Sequence, residues 1–99
     1  MNYKKTESAF QKIVIEEIEK VFKGCIILKN DPTYIQGIPD LLILYKKYWF
    51  ALECKRNTYS HMQPNQMYYL NKMKRMSSAF IITPENKEDI FYELQQTFR

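Results

Sequence analysis

Three charged side chains, Asp40, Glu53 and Lys55, stand at the ends of the two most apolar segments of the chain. Asp40 closes Gly37-Ile38-Pro39-Asp40 and opens Leu41-Leu42-Ile43-Leu44-Tyr45, while Glu53-Cys54-Lys55 ends the run Tyr48-Trp49-Phe50-Ala51-Leu52. Charge held beside apolar strands costs several kcal/mol in order of magnitude unless a partner or a metal offsets it. Two carboxylates and an ammonium on one sheet face are a minimal kit for metal-assisted phosphodiester hydrolysis. Mg²⁺ prefers hard oxygen ligands and keeps several waters, so one or two carboxylates hold it against a substrate phosphate. The ion then acidifies a water and neutralises charge developing on the phosphate, and Lys55 would orient that water or stabilise the same charge. A bare Glu-x-Lys, by contrast, reads equally as an exposed ion pair at a strand end.

Whether these groups meet depends on a hairpin. Asp40–Tyr45 and Tyr48–Lys55 read as two strands turning at Lys46-Lys47, without the Asn-Gly or Gly that such turns favour. A symmetric loop centred between Lys46 and Lys47 pairs Tyr45 with Tyr48 and, counting outward, sets Asp40 opposite Glu53 on one face, with Lys55 two positions along. A turn shifted by one residue would send the pair to opposite faces. Pro39 cannot donate to a ladder and restricts Ile38 to extended geometry, so Asp40 is delivered in a fixed direction at a strand entrance.

The remaining elements must carry this hairpin. Apolar residues Phe10, Ile13, Val14, Ile18, Val21 and Phe22 recur at three- and four-residue steps, predicting an amphipathic helix over Glu7–Phe22 with Thr6 as N-cap and Gly24 as stop. Glu7 and Glu17 both lie near its apolar stripe; first-turn dipole stabilisation explains the first, and a solvated edge position the second. Cys25–Lys29 reads as a strand. Arg56–Met62 has no period and reads as a donor-rich loop. Pro64 suits the first position of a second helix, to Met76, with Gln66 on its apolar side and Lys72, Lys74 and Arg75 on a basic outer face. Ser78–Ile82 makes a fourth strand, parallel to its predecessor because a helix intervenes. Thr83 and Pro84 read as N-cap and first residue of a closing helix to Thr97. The order α-β-β-β-α-β-α predicts one α/β domain over residues 1–99, a mixed sheet of about four strands flanked by helices.

Composition narrows the partner class. The chain has 99 residues, 45% of them hydrophobic, and a formal charge of +4, with a pI near 9.0, which suits a polyanion. Cys25, Cys54 and the single His61 have no zinc-site spacing, so the cysteines read as small apolar residues in a reducing compartment. No window approaches the roughly 20 apolar residues of a membrane span, and no secretory leader is visible. The expectation is a cytoplasmic protein that engages no membrane.

Pro39-Asp40 followed by Glu53-Cys54-Lys55 resembles the PD-(D/E)xK nuclease signature, and Gly37-Ile38-Pro39-Asp40-Leu41 is similar to the wording of its VRR-NUC (virus-type replication-repair nuclease) branch. The likeness covers nearly the whole chain. It implies a restriction-endonuclease-like fold and Mg²⁺- or Mn²⁺-dependent DNA cleavage, with Asp40 and Glu53 as metal ligands and Lys55 as the catalytic lysine. The backbone carbonyl of Cys54 is a further candidate ligand. It further implies a glutamate from the first helix, matched most naturally by Glu7 with Glu17 as the rival, and a glutamine on the second helix, matched by Gln66 ahead of Tyr69. Met76-Ser77 stands where a glycine often ends that helix, which affects a turn rather than chemistry. Stand-alone relatives of this size are often phage- or bacterium-encoded homodimers, and some cut branched DNA. The dimer contact is not readable, although Met67, Tyr68, Met73 and Met76 exceed what one core face needs. The competing reading is a non-catalytic nucleic-acid-binding module on the same fold.

Overall fold

The protein is described by a computed structural model covering residues 6–98. Its elements are α1 (Glu7–Val21), β1 (Ile26–Lys29), β2 (Leu41–Tyr45), β3 (Tyr48–Cys54), α2 (Pro64–Lys74), β4 (Ser78–Ile82) and α3 (Lys87–Thr97). The four strands form one mixed sheet in the order β1-β2-β3-β4. β1, β2 and β3 run antiparallel in turn, and β4 lies parallel to β3 after the α2 crossover. Both the element order and the mixed α/β class agree with the sequence reading.

Strand alternation divides the apolar residues between two faces. Leu41, Ile43, Phe50, Leu52 and Cys54 face one core shared with Phe10, Val14 and Ile18 of α1 and Ile90, Phe91 and Leu94 of α3. The opposite face carries a smaller cluster in which Leu70 of α2 covers Ala51 and Ala79. Glu53 and Lys55 alternate with Cys54, so they belong to the α2 side.

Local chemistry explains the boundaries. Thr6 Oγ1 accepts from the Ala9 amide at 3.0 Å and starts α1, and Gly24 adopts φ +88° just past its end, a conformation that glycine takes without strain. The closing helix begins later than expected, at Lys87 rather than Pro84. Thr83 does cap, but it caps a turn: Thr83 Oγ1 accepts from the Asn86 amide at 3.2 Å, and Asn86 Oδ1 accepts from the Thr83 amide at 2.8 Å. Asn86 also donates to the Ile81 carbonyl, and the α-helix starts only after this reciprocal lock. Among the described residues, no helix is long and apolar enough to cross a membrane.

The two-lysine turn falls where the hairpin needs it. Tyr45 pairs with Tyr48 and Leu41 with Leu52, so the register is the one that aligns Asp40 with Glu53. Lys46 takes φ +57°, the left-handed region that disfavours side chains with a Cβ. Lys46→Gly is expected to raise stability by up to about 1 kcal/mol while leaving the fold unchanged, as read by urea denaturation.

Candidate metal centre

The site is built where the hairpin ladder ends. Beyond the last pair, Leu41 with Leu52, side chains take over from the backbone. The Asp40 amide donates to Glu53 Oε1 at 3.2 Å, and the Cys54 amide donates to Asp40 Oδ2 at 2.9 Å. Each carboxylate therefore fixes the strand that carries the other. Lys55 is anchored at the next step, its amide donating to the Ile82 carbonyl of the parallel strand at 3.0 Å.

Asn30 fixes the entrance to β2, a role that the sequence reading missed. Its Nδ2 donates to the Pro39 carbonyl at 2.8 Å, and its backbone amide donates to the Asp40 carbonyl at 2.9 Å. Neighbouring Asp31 and Pro32 signal only a turn, so nothing local marks Asn30 as a clamp across nine residues. Pro39 is itself fully buried beneath this clamp.

α2 enters through Gln66 and through a glycine contact. Gln66 Oε1 accepts from the Gln63 amide at 2.8 Å, closing the first turn of its own helix. The same side chain donates through Nε2 to Glu53 Oε2 at 3.2 Å and accepts from Lys55 Nζ at 3.4 Å. Lys55 Nζ also lies 3.4 Å from Glu53 Oε2. Gly37 lets α2 come this close: with φ +93°, it is packed so that an added Cβ would lie 2.7 Å from the Asn65 backbone. No other residue type fits both its conformation and that gap.

α1 contributes the third carboxylate, and it is Glu7 rather than Glu17 that does so. One carboxylate oxygen each from Glu7, Asp40 and Glu53 lie within 4.8 Å of one another. Glu17 instead pairs with Lys87 of α3, tying the two helices on the other face together. Burial grades across the trio, with Glu7 exposed, Asp40 half-buried and Glu53 buried. All five residues singled out from sequence, Glu7, Asp40, Glu53, Lys55 and Gln66, are thus joined in one cluster.

The electrostatics follow from that geometry. Burial, and then the neighbouring Asp40 charge, push the Glu53 carboxyl up to about 7 although Lys55 partly offsets them. Burial also raises Asp40, against the Cys54 amide bond that favours its charged form. The Cys54 thiol is likewise pushed up by burial, with the carboxylates adding to the effect, and it stays a neutral core group. The arrangement fits a hard divalent cation: three oxygen donors converge, their repulsion is only partly balanced by one ammonium, and an added positive charge would relieve it. Among the described residues no buried side-chain polar atom lacks a partner, so the cluster is held by its own hydrogen bonds.

A raised carboxyl pKa means that the folded chain holds this proton more tightly than the unfolded chain does. The contribution of Glu53 to stability is therefore fully present below about pH 4.5 and is lost as pH rises through about 7. In EDTA, wild-type protein should lose stability relative to Glu53→Gln across that window, measured as paired denaturation midpoints between pH 4 and 8. A constant difference would contradict the burial of a titrating carboxyl here.

Compared with known proteins, the chain matches no protein-family model and no curated sequence.

Proposed function

We propose that this protein is a divalent-metal-dependent DNA endonuclease that hydrolyses phosphodiester bonds, with a preference for branched DNA such as four-way junctions. The observation that carries the reading is the convergence of Glu7, Asp40 and Glu53 with Lys55 held beside them by Gln66. The net charge of +4 adds to it, since the partner is a polyanion. The free cysteines suit a reducing cytoplasm.

When bound by Glu7, Asp40 and Glu53, Mg²⁺ or Mn²⁺ supplies a Lewis acid that neutralises the substrate phosphate and acidifies a water. The chain's own residues do the rest. Asp40 and Glu53 present oxygen donors from two strands whose relative position their hydrogen bonds already fix, so little reorganisation accompanies binding. Lys55 Nζ, restrained by Glu53 and Gln66, is a directed donor for the attacking water or the phosphate oxygens. Gln66 acts by positioning Lys55 and Glu53. Exposed Glu7 leaves the site open towards solvent on the side where a nucleic acid approaches. Little of the chain remains for reading base edges, in keeping with a structure-selective rather than sequence-specific enzyme.

Labelled linear, nicked, flapped and four-way DNA, each with Mg²⁺, Mn²⁺ or EDTA, tests the reading. Metal-dependent cleavage is expected, falling about 100-fold or more in Asp40→Asn and Lys55→Ala proteins that retain the wild-type circular dichroism. Undiminished cleavage in Asp40→Asn would sink the assignment, and salt-sensitive binding without nicking would favour a non-catalytic DNA-binding module.

The ion can also be detected without any substrate. Mg²⁺ or Mn²⁺ should raise the melting temperature of wild type, and by more at pH 8 than at pH 6, because Glu53 must lose its proton to bind. The rise should disappear in Asp40→Asn.

A further inference from the structure

Charge is unevenly placed along this chain. Between Glu53 and Glu85 there is no Asp or Glu, but there are five cations, Lys55, Arg56, Lys72, Lys74 and Arg75. The whole chain sums to +4, so the remainder carries −1. This acid-free stretch leaves the carboxylate cluster at Lys55, passes through the loop 56–63, and returns to the cluster at Gln66 of α2, which Lys55 Nζ meets at 3.4 Å. Tyr59 stands in the middle of that loop, 94% exposed. Its backbone is nevertheless held. Asn57 Oδ1 accepts from the Tyr59 amide at 2.8 Å, the Asn57 carbonyl accepts from the Ser60 amide at 3.2 Å, and Thr58 donates its amide and hydroxyl to Glu85 Oε1 at 3.2 and 3.3 Å. A ring carried into water on a fixed backbone can stack on a flat partner with little further ordering. Four residues span at most about 14 Å, so the Cα of Tyr59 lies no further than that from the Cα of Lys55. That reach is roughly four nucleotides at the rise of a duplex strand.

We infer that Tyr59 stacks on an unpaired base next to the phosphate held at the carboxylate cluster, so that the substrate is DNA with unpaired nucleotides at its branch point. In a continuous helix both faces of each base are covered by its neighbours, and an exposed ring finds a free face only where the stack is opened. Such stacking tolerates any base, because every base has a π-face, and it therefore needs none of the base-edge contacts for which this chain has little room. Tyr34 is the internal comparison. It is 85% exposed in a turn six residues before Asp40. That turn is built on the carboxylate of Asp31, which accepts from the Thr33 amide and hydroxyl at 2.8 and 2.6 Å, whereas the Tyr59 turn is built on the neutral amide of Asn57. Glu85 does approach the Tyr59 loop, but Lys55 and Arg56 outnumber it. A polyanion is thus drawn to Tyr59 in preference to Tyr34.

The inference rests on the proposed function for its partner, DNA, and its test is binding in EDTA, apart from cleavage. By fluorescence anisotropy, Tyr59→Ala should bind a labelled single-stranded oligonucleotide about tenfold more weakly than wild type, the loss of one base stack. Its binding to the blunt duplex of the same sequence should change by less than about twofold, because phosphate contacts remain. Tyr59→Phe keeps the ring and should bind the single strand as wild type does, and so should Tyr34→Ala. Both positions are exposed, so circular dichroism should be unaltered in all three variants. Single-strand binding unchanged in Tyr59→Ala would overturn the inference, as would an equal loss on the duplex, an equal loss in Tyr34→Ala, or a loss that Tyr59→Phe does not restore. Tighter binding to the oligoribonucleotide of the same sequence would assign the ring to RNA and overturn it too. Metal-dependent cleavage with no effect of Tyr59 on single-strand binding would remove this inference and leave the endonuclease standing. A Tyr59 effect without cleavage in Mg²⁺ or Mn²⁺ would do the reverse.

Discussion

The reciprocal bonds between Asp40 and the β3 strand are the constraint on which the site depends. Asp40 receives the Cys54 amide while giving its own amide to Glu53, so neither carboxylate can shift without opening the end of the hairpin. Around that crossing the other groups are placed in sequence: Asn30 holds the two carbonyls that flank the Asp40 Cα, those of Pro39 and Asp40, Gln66 reaches Glu53 and Lys55, and Glu7 closes the third side. Backbone amides usually bond backbone carbonyls in a ladder. Here the ladder yields to carboxylates one step early, which turns a strand end into a rigid frame for two carboxylates.

That frame is held at an electrostatic cost. A buried Glu53 beside Asp40 keeps its proton up to about pH 7, so the metal-free arrangement is under tension that one lysine only partly relieves. Groups placed in this way are more typical of sites for chemistry than of packing. The uncharged alternative, an apolar strand end, would stabilise the fold more simply.

Much of this was legible in the sequence because several independent signals agreed. Apolar periodicity located α1, continuous apolar runs located β2 and β3, and the symmetric loop gave the register even though Lys46 carries none of the usual turn chemistry. Ser78–Ile82 was recovered with its parallel sense because a helix must intervene. What escaped was non-local or reciprocal. The start of α3 was misplaced because Thr83 and Asn86 lock one another in a turn, a pattern that resembles a helix cap until its partners are known. Asn30 was hidden because its bonds join segments nine residues apart. The choice between Glu7 and Glu17 could not be made from the stripe alone; it needed Lys87, seventy positions away, to claim Glu17.

The three carboxylates differ in how deeply the fold is invested in them. Asp40 and Glu53 are bonded into the end of the hairpin, but Glu7 sits exposed at the first turn of α1, a turn ahead of the first core residue, Phe10. Its identity is therefore nearly free of packing constraint. The charge count of the carboxylate cluster can drift or be engineered at this one position while the scaffold that orients the other two stays intact. The site thus has a fixed half and an adjustable half, set by where α1 begins.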